Sequence, residues 1–88
     1  MMLEVTLRLN VKLRSAAREA LFGRGGRELL EEILDTFKEI YSEIGIPERM
    51  KLIEDLLKSD PEIGLKAALS SLSEDIREFI YSKAVRRI

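Results

Sequence analysis

The chain has no cysteine, histidine, tryptophan or glutamine, and Asn10 is its only side-chain amide. Without cysteine there is no disulfide framework. With histidine missing as well, the commonest nucleophile, the commonest general base and nearly all transition-metal ligands are gone. An active site would have to be assembled from Asp, Glu, Lys, Ser and Tyr, and no such constellation is legible. The expectation is a non-enzymatic protein with no cofactor and no metal. No apolar run approaches the roughly 20 residues of a membrane span. The opening "MMLE" lacks the basic region and cleavage site of a signal peptide, so a cytoplasmic location is expected. Depletion of heat-labile side chains against 35% charged residues gives a thermophile-like composition.

What is present makes a single small domain, residues 1–88, with 45% hydrophobic residues. A chain of this length buries only about 60–65% of the surface its unfolded form exposes, and association is a common remedy. The net charge of −1 hides a strong segregation: +4 over residues 1–27, −8 over 28–80 and +3 over 81–88. Two surfaces with different partners are implied.

The segment "LEVTLRLNVKLR", residues 3–14, alternates without a slip. Leu3, Val5, Leu7, Leu9, Val11 and Leu13 share one side of a strand. Glu4, Thr6, Arg8, Asn10, Lys12 and Arg14 share the other. From Ser15 the period changes: "SAAREALF" predicts a short helix capped by Ser15 and ended by Gly23. After the turn "GRGG", residues 27–44 predict the clearest helix, with Leu30, Ile33, Leu34, Phe37, Ile40, Tyr41 and Ile44 on one stripe. Gly45 closes it, and Pro47 opens another helix to about Lys58. "SDPE" then starts a helix on a Ser59 or Asp60 cap. Ser71-x-x-Glu74 spells a second capping box, which predicts a break at "SSLS". The tail fits a helix better than a strand, with Lys83, Arg86 and Arg87 complementing the dipole of its last turn.

The fold expected is mainly α (α+β): one long N-terminal strand followed by four or five helices. No later segment can pair with that strand, and its backbone groups need partners. The simplest supply is a second copy, giving a homodimer through an antiparallel ribbon, residues 1–14 being the dimerising strand. The alternative is addition to the sheet edge of another protein. The dimer interface expected is Leu3, Val5, Leu7, Leu9, Val11 and Leu13. Placing Leu9 on the two-fold axis avoids opposing like charges.

The polar strand face suits a major groove, since Arg and Lys can donate to guanine and Asn can pair with adenine. The nucleic-acid-binding residues expected are Thr6, Arg8, Asn10, Lys12 and Arg14. Arg24 and Arg27 join them from "GRGG", whose free amides at a helix start could hold a phosphate. The order strand, short helix, glycine turn, helix over residues 3–44 resembles the ribbon-helix-helix regulators, which implies a dimeric DNA-binding protein. The first helix is shorter than that family's and the strand-to-helix spacing differs, so no membership follows. Glu28, Glu31, Glu32, Asp35, Glu39 and Glu43 form a hydrated acidic face that could dock a basic partner. The function expected is a self-associating subunit or regulator that binds other macromolecules, either protein or nucleic acid.

Overall fold

The N-terminal segment is a helix. The computed structural model describes residues 2–85, with the side chains of residues 4–82, and α1 (Met2–Leu21) runs unbroken through the alternating segment and past Ser15. A lone strand leaves its N–H and C=O groups without partners, whereas a helix satisfies all but its terminal ones within itself. Leu, Arg, Lys and Glu are good helix formers, and no Gly or Pro interrupts them.

Wound at about 100° per residue, an alternating pattern cannot stay on one face. It splits into two stripes of i, i+4 neighbours. Val5, Leu9 and Leu13 form one, and Leu7 and Val11 form the other. The first stripe turns into the bundle along its length, with Val5 39% exposed, Leu9 half-buried and Leu13 fully buried. On the second, Leu7 is 45% exposed and Val11 70% exposed.

Among the described residues there is no strand. The strand-paired dimer, its axis at Leu9 and the likeness to ribbon-helix-helix proteins all fall with it. So does the division at residue 14, because Leu13 and Ala17 belong to the same buried core.

A turn leads to α2 (Gly26–Glu43), one residue off the expected span at each end. Both ends of this hairpin close by the same device. The Gly23 and Gly45 N–H groups donate to Ala20 and Ser42, while those of Arg24 and Ile46 reach back to Glu19 and Tyr41. This double bond pattern requires a left-handed residue, and the glycines supply φ values of 76° and 83°. Pro47–Arg49 is a short 3-10 turn ahead of α3 (Met50–Ser59).

Asp60 caps α4 (Pro61–Val85), its Oδ1 accepting from the Glu62 and Ile63 amides at 3.1 Å each. The break expected at "SSLS" does not occur. Leu65, Ala68, Leu72 and Ile76 keep helical spacing in the core, and Ser73 accepts a side-chain bond instead of capping. The charges of the tail, Lys83, Arg86 and Arg87, lie outside the described side chains.

α1 packs along α2 and α3 along α4, with smaller α1–α4 and α2–α3 contacts closing one core. α4 crosses α3 at buried Gly64, where a Cβ would strike the Leu56 carbonyl group. Among the described residues, no helix is long and apolar enough to cross a membrane.

Candidate interaction surface

Winding the segment into a helix disperses the residues expected on one polar face. Thr6 is fully buried, and Asn10 is half-buried with an Oδ1 that meets no hydrogen-bond partner. Neither can reach a base edge. Arg8 and Lys12 remain exposed one turn apart on the outside of α1. Arg14 leans toward α4, where its Nη2 donates to Ser73 Oγ at 2.5 Å. Arg24 lies in the turn after α1 and Arg27 in the first turn of α2, both exposed. The apolar set disperses in the same way, and the Leu3 side chain lies outside the described residues.

The turn "GRGG" borders a cavity of about 280 Å³ with Leu30 and the start of α4. Arg24 lines it, and no side chain caps the α2 amides at Gly25, whereas the adjacent α4 amides of Glu62 and Ile63 are taken by Asp60. The six carboxylates of α2 stand on its solvent side, with only Glu43 half-buried. No three acidic groups among the described residues converge as a cation site would need.

One polar cluster lies inside the molecule, and sequence patterning missed it. The Tyr41 hydroxyl donates to Asp75 Oδ2 at 2.6 Å, and Arg49 Nη2 stands 3.6 Å from Asp75 Oδ1. Tyr41 is fully buried and Asp75 is 7% exposed, whereas Arg49 reaches solvent. Burial, followed by the bond to Asp75 and its negative charge, pushes the phenol well above its ordinary value near 10, with Ser71 and Arg49 opposing. The tyrosine is therefore a held donor. It joins α2 to α4, and Arg49 ties in the intervening turn.

The outer side of α1 is of another kind. Among the described residues the ion pairs are Arg49–Asp75 and Lys66–Glu62, so the cations of α1 (Arg8, Lys12, Arg14 and Arg18) pair with no carboxylate. Beside them stand Val11 and Leu7, and Phe22 follows at the end of the helix, 71% exposed. The signal was present in the sequence, since i, i+4 spacing of Leu7 with Val11 and of Arg14 with Arg18 marks one helical side. Period two masked it.

Comparison with family models, with curated proteins and with solved structures yields no match.

Proposed function

We propose that this chain acts by binding another macromolecule through the outer side of α1, as a small subunit or regulator rather than as an enzyme. The observation that carries this is the second apolar stripe, with Val11 70% exposed on a helix whose four cations form no ion pair among the described residues. A surface combining bare aliphatic side chains with free cations is poorly served by water and well served by a partner. The test is retention of partners from a native extract on the tagged protein, with and without nuclease, against a Val11→Asp variant. A retained complex that survives nuclease and is lost in the variant supports protein binding. A complex dissolved by nuclease would instead support the nucleic-acid reading, which Arg8 and Lys12 keep in play. Retention that Val11→Asp does not change would overturn the proposal.

A further inference from the structure

The two helices α1 and α4 run antiparallel where they meet. Arg14 bonds Ser73, while Ala20 and Leu21 stand beside Pro61, Glu62 and Leu65 at the other end. Between these levels a groove of about 690 Å³ opens to solvent, lined by Arg14, Ala17, Arg18, Leu21, Phe22 and Leu69. Its floor is aliphatic: Ala17 is buried, while Leu21 and Leu69 are half-buried and pack on the core. Phe22 forms one wall, exposed over 71% of its surface. Among the described residues neither cation at the rim has a carboxylate partner, and Arg14 is held in place by Ser73.

We infer that this α1–α4 groove is a docking site for an acidic amphipathic helix of another protein. This rests on the reading of α1 as a partner-binding surface and assigns that partner its chemistry. The argument is charge complementarity over an apolar floor. An amphipathic helix would set its apolar row on Leu21, Leu69 and Phe22, with flanking carboxylates reaching Arg14 and Arg18. A second copy of this chain is a poor occupant. Paired face to face, two grooves would bring their arginines together, and the acidic face of α2, residues 28–43, offers carboxylates without the exposed large aliphatics that Leu52 and Ile63 present elsewhere. A nucleic-acid duplex would satisfy the arginines and leave the aliphatic floor uncovered.

The test uses two labelled synthetic helices of about 20 residues, long enough for marginal helicity in water. Both carry leucines at i, i+4, i+7 and i+11, one flanked by Glu and the other by Lys, and binding is read by fluorescence anisotropy. The acidic peptide should bind, the basic one should not, and Phe22→Ala and Arg18→Glu should each weaken the acidic peptide at least tenfold. Arg18→Glu should also gain affinity for the basic peptide. Both positions are exposed, so an unchanged melting temperature keeps the fold out of the comparison. No binding, equal binding of both peptides, or indifference to Arg18→Glu would overturn the groove assignment. So would displacement of the peptide by a short DNA duplex, which would give the face to nucleic acid, or a dimer in sedimentation that the peptide dissociates, which would give it to a second copy. If a Val11-dependent complex is retained from extract while Phe22→Ala and Arg18→Glu leave it intact, the groove is wrong and the broader reading of α1 stands.

Discussion

Tyr41 shows how one side chain can take two roles in so small a core. Its ring fills the interior, and its hydroxyl supplies the donor that Asp75 needs at 7% exposure. In Tyr41→Phe the carboxylate keeps only Arg49, at 3.6 Å and partly in solvent. The variant should lose about 1–3 kcal/mol, read from urea denaturation near neutral pH. A pH dependence follows with a definite sign. The native phenol holds its proton above the ordinary value while the unfolded one releases it near pH 10, so the unfolded chain binds fewer protons there. The contribution is therefore complete below about pH 10 and lost progressively above it. Wild type should lose stability above about pH 10 more steeply than Tyr41→Phe. Parallel curves would mean that the phenol is not held.

Gly64 makes the reverse point, since its role is the absence of a side chain. In a helix interior, replacing Gly by Ala usually stabilises by about 1 kcal/mol. Here the added methyl would meet the Leu56 carbonyl of α3, backbone that cannot turn aside. Gly64→Ala should destabilise, by about 1–3 kcal/mol. A gain in melting temperature would show that α3 and α4 do not approach as closely as described.

At the scale of the element, α1 separates two accounts of one pattern. On a strand, Val11 and Leu13 share a face and should behave alike. On the helix, Leu13 is fully buried and Val11 points outward. Leu13→Ala should therefore cost about 2–5 kcal/mol, while Val11→Ala should stay within about 0.5 kcal/mol. Similar losses at both positions would restore the strand. Elements whose patterns had one interpretation were legible in the sequence: the stripe of α2, the closures at Gly23 and Gly45, and the Asp60–Pro61 start of α4. Two were not. Period two reports how side chains alternate only if a strand forms, and whether it forms depends on backbone partners that no local pattern reveals. "SSLS" contains sound capping chemistry, but the buried row of α4 runs straight through it, and Arg14 claims Ser73. The residues expected to bind were grouped by a strand that does not form. Arg8, Lys12 and Arg14 remain exposed, Thr6 and Asn10 turn inward, and Arg18 and Phe22 join only once the helix is known.

At the scale of the whole molecule, the overall dimensions are 45 × 21 × 16 Å. That thickness allows two layers of helices at about 8–10 Å spacing, so each helix keeps a side in water. The core is nevertheless closed within one chain, with buried side chains from all four helices in a single cluster. An obligate dimer and a self-sufficient monomer then differ in one measurable way. If folding required a second copy, a hundredfold dilution would lower apparent stability by about 2.7 kcal/mol. For a dimer of two such chains that corresponds to a drop of roughly 5–10 °C in melting temperature. A core completed by its own helices should melt at the same temperature across that range. Invariance is the expected outcome, with a sedimentation mass near 10.1 kDa in dilute solution. A partner that binds the native surface of α1 would then raise the melting temperature in proportion to the logarithm of its own concentration, while the concentration of the chain itself had no effect. A melt that rises with the chain's own concentration would instead mean that the outer stripe of α1 is covered by a second copy, and that the basic groove beside it faces inward.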